Sequence, residues 1–228
     1  MLKFLVIAVV GMGLLFCPVW AKGQAPDGPR SEFSVGLSLG YHYGVSGQIH
    51  GMVRGFAEDF PLSARLAIGY SKAGPGSALD SRRIFINDAT NGFPEKSGRV
   101  WEFRGDLLYP VRLLNLERAY IFGGPRYAMF TGNFKFVGGN EDFDVRSDQW
   151  GLGTGLQGFF RMNPRVDLVL TLGIDYFFES TLTGHDTSYS PDGEDVNPRD
   201  DYTFDDADAA VNQPELEFQA MFGFSYSL

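Results

Sequence analysis

The sequence predicts an all-β protein, an eight-stranded antiparallel up-and-down transmembrane β-barrel. Three observations predict it: apolar and polar residues alternate strictly over unusually long runs, short and long connections alternate between those runs, and a final alternating run reaches Leu228. A chain of 228 residues suits one such barrel.

The first segment is of another kind. Lys3 precedes the apolar run from Phe4 to Val10, Leu14-Leu15-Phe16 continues it, and Val19-Trp20-Ala21 places small residues at a cleavage position. That order of charge, apolar core and small residues predicts a secretory signal peptide over 1–21, cleaved after Ala21, with Ala25 as the second choice. The run is shorter than the roughly 20 apolar residues that a spanning helix needs. Residues 22–228 are therefore expected to form the exported barrel. The sole cysteine, Cys17, lies in the segment to be removed and follows the bulky Phe16, unlike a lipoprotein site. The exported chain then has no disulfide, thiolate metal site or cysteine nucleophile.

Net charge is −9, and more negative still once Lys3 is removed. So acidic a chain is expected to repel nucleic acid and anionic lipid surfaces. Aromatics at 15% argue against disorder, since disordered chains are poor in them.

The first strand is the plainest. Phe33, Val35, Leu37, Leu39, Tyr41 and Tyr43 alternate with Ser34, Gly36, Ser38, Gly40, His42 and Gly44. A two-residue period over a dozen residues gives one apolar and one small, polar face, in a strand longer than the usual five or six. In the next, Ile49 and Val53 alternate with Gln48, His50, Met52 and Arg54; then Leu62, Ala64, Leu66, Ile68 and Tyr70 alternate with Ser63, Arg65 and Ser71. Trp101, Phe103, Leu107 and Tyr109 alternate with Glu102, Arg104 and Asp106. Residues 120–136 form a fifth strand whose faces stay unassigned, because Gly123-Gly124-Pro125 is where a bulge would shift the phase. Trp150, Leu152, Leu156 and Phe160 define the sixth strand, Val166 to Tyr176 the seventh, and Leu216 to Leu228 the eighth.

Connections at 57–61, 112–117 and 162–165 are short, whereas long loops are expected near 72–98, 137–148 and 179–214, with a tight first hairpin around Ser46. In transmembrane barrels, short turns face the periplasm and long loops face outward, which puts both termini on the periplasmic side.

The apolar faces end in Tyr41, Tyr70, Tyr109, Tyr176 and Tyr226, as interfacial girdles do. They are therefore assigned to lipid. The opposite faces carry Arg54, Arg65, Glu102, Arg104, Asp106, Asp167, Asp175 and Glu217. These eight are expected to pair as a lumen charge network, since an eight-stranded interior has room only for side chains and an unpaired charge there is costly.

His42 and His50 are expected to face each other near the outer rim, where a histidine beside Ser or Glu would suit acyl transfer or deacylation. Packed lumen side chains are the plainer expectation, and no catalytic residue or metal site is assigned. Loop 179–214 has ten acidic side chains from Glu179 to Asp208 against Arg199, without the spacing of an EF-hand, and is expected to be solvated. In loop 72–98, Ile84-Phe85-Ile86 between charges reads as an exposed partner patch or as a strand that caps the barrel. No phosphate-cradling glycine loop and no HExxH is present.

The end Gly223-Phe224-Ser225-Tyr226-Ser227-Leu228 resembles the C-terminal insertion signal of outer-membrane barrels, with Leu228 in place of the usual aromatic. Over 22–228 the organisation resembles the small eight-stranded outer-membrane β-barrel superfamily, including the OmpA-type transmembrane domain and OmpX-like proteins. The resemblance implies a location in the bacterial outer membrane. It also implies outer-membrane lipids, lipopolysaccharide and the barrel-assembly machinery as partners, with a surface partner through the long loops and no nucleic acid. The function expected is non-enzymatic: envelope structure, surface interaction or a narrow pore, without a cofactor. The alternatives are a lipid-modifying enzyme using His42 or His50 and a soluble periplasmic ligand-binding barrel.

Overall fold

The computed structural model describes residues 32–55, 60–88, 91–113, 116 and 118–228; the expected signal peptide lies outside them, as do parts of two short turns. Eight strands form the barrel: β1 (Glu32–Tyr41), β2 (Gly44–Arg54), β3 (Ser63–Ala73), β4 (Phe93–Val111), β5 (Arg118–Val137), β6 (Asp142–Arg161), β7 (Val166–Phe177) and β10 (Leu216–Ser227). Each pairs antiparallel with its sequence neighbour, β1 pairs β10, and the ring is complete. Closure removes the unpaired edge that neither lipid nor water-borne partners would leave alone.

The alternation decides which face is outside. Leu37, Ile49, Leu66, Leu172 and Phe218 are 54%, 65%, 73%, 59% and 63% exposed, whereas Ser38, His50, Arg65, Thr171 and Gln219 are buried. A barrel that folds in water keeps its apolar side chains inside. Here the apolar face is outside and the lumen is polar, the arrangement of a lipid-embedded barrel.

The strands fall into two lengths. β1, β2, β3, β7 and β10 have 10 to 12 residues, enough to cross a bilayer, while β4, β5 and β6 have 19 or 20. The surplus lies at one end and forms a three-stranded extension. The segment 137–148 is accordingly not a long loop: Lys135 pairs Asp142, Asn133 pairs Asp144 and Thr131 pairs Arg146, so four residues make the turn. The first long connection likewise narrows, because Gly98 to Phe93 pair with Gly132 to Val137. Interstrand hydrogen bonds satisfy a backbone that a loop would leave to water.

Both remaining loops are folded. Residues 74–92 contain helix α1 (Ala78–Phe85), capped by Ser77, and Ile84 and Phe85 are buried rather than exposed as a patch. The loop 178–215 contains the short strands β8 (Leu182–Thr183) and β9 (Ser188–Tyr189) and helix α2 (Phe204–Ala210). Thr203 and Asp206 cap α2 reciprocally through side chain and backbone. This loop is not simply solvated: its carboxylates point to water, but Leu182, Tyr189, Ala207 and Ala210 pack inward. Together with Phe130, Phe134 and Phe136 of β5 and Phe143 and Val145 of β6, they form an apolar core that caps the barrel mouth.

Candidate functional site

The lumen is stacked in three layers. At the end of the short turns, Leu108, Tyr120, Phe122 and Phe159 form a buried apolar floor with Met52 and Val169. At the far end sits the cap. Charges fill the space between.

The centre is a continuous ion-pair lattice. Arg65 grips Asp106 with Nε at 3.0 Å and Nη2 at 2.6 Å, and its guanidinium lies 4.6 Å above the Phe122 ring of the floor. Arg126 bridges two carboxylates, 2.8 Å from both Asp106 and Asp175. Arg104 reaches Asp175 at 3.1 Å, Glu102 at 3.5 Å and the Gln219 amide oxygen at 2.8 Å. His42 completes the outer edge, with Nδ1 3.1 Å from Glu102 and Nε2 3.0 Å from Asp175. Tyr43 donates to Glu102 at 3.2 Å. Three guanidiniums thus face three buried carboxylates, and such pairing offsets the several kcal/mol that each ion costs to desolvate.

Glycines make room for these groups. A Cβ at Gly153 would meet Asp175 and Arg126, and one at Gly36 would meet the His50 ring. The small lumen-facing residues therefore sit opposite the large polar ones.

The eight sequence-assigned lumen charges separate into groups. Arg65, Glu102, Arg104, Asp106 and Asp175 meet in the lattice. Arg54 instead pairs Glu32 at 2.9 Å, and Asp167 holds Arg118 and Arg161 at the end of the short turns. Glu217 pairs in register with Asp175 on the neighbouring strand and borders the lattice. Two members of the lattice are not among those eight. Arg126 lies in the strand whose phase the sequence leaves open; yet Arg104↔Arg126 and Leu107↔Gly123 keep one register across Pro125, so no bulge shifts the face. His42 reads in the sequence as facing His50, and nothing there brings Glu102 and Asp175 to it.

The histidine geometry is also corrected. The hairpin turns at His42-Tyr43, where Tyr43 has φ of 62°, and not around Ser46. His50 pairs Gly36 deep in the wall, so the two imidazoles do not face each other. Neither imidazole is hydrogen-bonded to a hydroxyl among the described residues. His42, Glu102 and Asp175 do converge closely enough to ligate a metal. Arg104 and Arg126 already occupy the same carboxylates, however, and two guanidiniums beside a divalent cation would repel it.

Neither a protein-family model nor a curated protein matches the sequence. Among solved structures, a major outer membrane protein from Thermus thermophilus superposes with a TM-score of 0.68 at 22% identity, over 87% of this chain and 99% of that one. The chain has the fold of the small outer-membrane β-barrels. Neisserial surface protein A, at 13% identity and a TM-score of 0.40, and Ail, the attachment invasion locus protein of Yersinia pestis, at 12% and 0.37, also match over 87% of this chain and 97% of theirs.

Proposed function

We propose that this chain is a non-enzymatic outer-membrane protein whose barrel anchors and presents a folded acidic cap at the cell surface. One observation carries the reading: the lumen is filled from floor to cap, by aromatics, then paired charges, then aromatics again. A conducting path needs ions to enter and leave, and paired guanidiniums and carboxylates between two apolar plugs provide no such sites. Envelope structure and surface interaction are therefore favoured over a narrow pore. The cap is the part that meets the outside, and its exposed carboxylates around α2 and after β9 are the surface that a partner would contact.

Delivery through a cleaved signal peptide and the barrel-assembly machinery belongs to the same proposal. Two measurements test it. Protein extracted from isolated outer membranes is expected to migrate differently on electrophoresis before and after heating. Reconstituted in planar bilayers, it is expected to show no discrete channel steps; regular unitary conductance would replace the anchoring role with a pore.

A further inference from the structure

On the outer wall of β3 to β6 the interstrand register stacks three rows of outward side chains. The upper row is Lys72↔Arg99↔Thr131↔Arg146↔Thr183, the next is Tyr70↔Trp101↔Met129↔Asp148, and the third is Ile68↔Phe103↔Tyr127↔Trp150. Beneath them lie Leu66 and the small pair Gly105 and Pro125. A proline has no N–H to give the ladder, and pairing between β4 and β5 lapses there. The outcome is a depression in the lipid-facing wall, an apolar groove of about 870 Å³ floored by Gly105 and Pro125 and walled by Leu66, Phe103, Tyr127 and Trp150. A mixed cleft of about 840 Å³, lined by Arg99, Arg146, Thr131 and Thr183 with Asp148 at its lower edge, opens directly above it, and the two share Tyr70 and Trp101.

We propose that this face seats one lipid of the surrounding leaflet that bears an anionic phosphate, its headgroup in the cleft and one acyl chain in the groove. The inference rests on the proposed membrane location. Its argument is complementarity of charge and of polarity at one place. Lys72 and Arg99 make no ion pair within 4 Å among the described residues, although the Arg99 charge reaches Asp144, which Arg146 holds at 2.8 Å with most of its own side chain exposed. Asp148 is the one acid of the second row. In a chain of net charge −9, a row of three cations and two threonine hydroxyls one step above an aromatic belt matches a phosphate at headgroup height. The groove below matches the chain covalently tied to it. A protein partner would not require both the lipid-depth groove and the cations above it.

The face carries its own reporter. Trp101 and Trp150 are the only tryptophans outside the expected signal peptide, and both line the groove. The purified barrel in neutral detergent is titrated with dibrominated phosphatidylglycerol or dibrominated phosphatidylcholine, whose bromines quench tryptophan on contact. The proposal predicts half-maximal quenching by phosphatidylglycerol at roughly a tenfold lower mole fraction, since each basic residue near a surface favours anionic lipid by several-fold. In Arg99→Gln/Arg146→Gln that preference should vanish while quenching by phosphatidylcholine and the heat-dependent mobility stay unchanged. Equal quenching by the two lipids in the unaltered protein would overturn the lipid site but keep the lipid-facing wall. Quenching by neither would overturn both. Loss of the preference on adding millimolar inorganic phosphate alone would show a free-phosphate site and refute the lipid.

Discussion

On β6, Trp150, Leu152 and Leu156 turn outward while Gln149 and Gln157 are buried in the lumen; toward the start of the same strand, Asp142, Asp144 and Arg146 turn outward while Phe143 and Val145 are buried. The backbone register does not change between the two stretches. Only the solvent outside does. Below the row of Lys72, Arg99 and Arg146, the wall faces lipid and the interior is polar down to the apolar floor; above it, the wall faces water and the interior is apolar. The lower stretch has a measurable height: the ten residue steps from Trp150 to Phe160, at about 3.3 Å each and a tilt near 40°, span about 25 Å, the height of an outer-membrane apolar band. One strand thus serves two solvents, and its polarity pattern marks where the boundary falls.

The substitution expected to act most strongly puts a charge into the lower stretch. Leu172→Arg, on the outward face of β7, is expected to cost about 2–4 kcal/mol in the bilayer and to abolish the folded band on unheated electrophoresis. Asp144→Arg, outward on the upper stretch, should leave that band intact. Equal tolerance of both would erase the distinction between the two regions.

Interior changes should divide in the same way. Arg126→Ala leaves Asp106 and Asp175 each short of a partner, and breaking such a buried network is expected to cost about 3–5 kcal/mol, lowering the temperature at which the whole barrel unfolds. Phe134→Ala, at a fully buried cap position, should remove a similar amount, about 3–5 kcal/mol, but from the cap alone. Limited proteolysis should then cut 74–92 or 178–215 while the heat-modifiable barrel persists. If the barrel fails together with the cap, the two regions are one cooperative unit.

A smaller effect is expected from pH. The buried Arg82 guanidinium, stacked 4.4 Å from the Phe136 ring, donates to Glu141 at 2.5 Å, and Asn87 donates to the same carboxylate at 3.3 Å. These bonds hold the Glu141 carboxyl below its usual value of 4.5. A lowered folded-state pKa gives stability that is complete above the unfolded value and lost as pH falls through the folded one. Protease cleavage of the cap should therefore rise on acidification below about pH 4.5, and Glu141→Gln should flatten the Glu141 part of that profile. A profile unaltered by the substitution would take Glu141 out of the account.

What was legible in the sequence follows the same boundary. Strands β1, β2, β3, β7 and β10 stay within one solvent over most of their length, so their period of two gave both strand and face. β5 carries Arg126 in the lattice and Phe130, Phe134 and Phe136 in the cap on one inner face, but Gly123-Gly124-Pro125 left room for a bulge, and only the register of the closed sheet shows that the phase continues across it. Asp142 to Asp148, read outward as a polar stretch, looked like a loop. In the lattice, Arg65, Glu102, Arg104, Asp106 and Asp175 were legible because a charge within an alternating strand has only the lumen to occupy. Their partners were not, since which charges meet depends on strand tilt and register around the closed ring. His42 illustrates this: its contacts lie 60 and 133 residues away in β4 and β7.

The most direct test of the boundary is a cysteine scan along the outward face of β6 in a Cys17→Ser background. Single cysteines at positions 144, 146, 148, 152 and 156, in protein reconstituted into vesicles, are treated with a water-soluble maleimide. Labelling at 144, 146 and 148 with protection at 152 and 156 is the expected result, a step at the level of Trp150. Uniform labelling along the whole face would mean that water surrounds the strand throughout, and would contradict the membrane assignment on which the account rests.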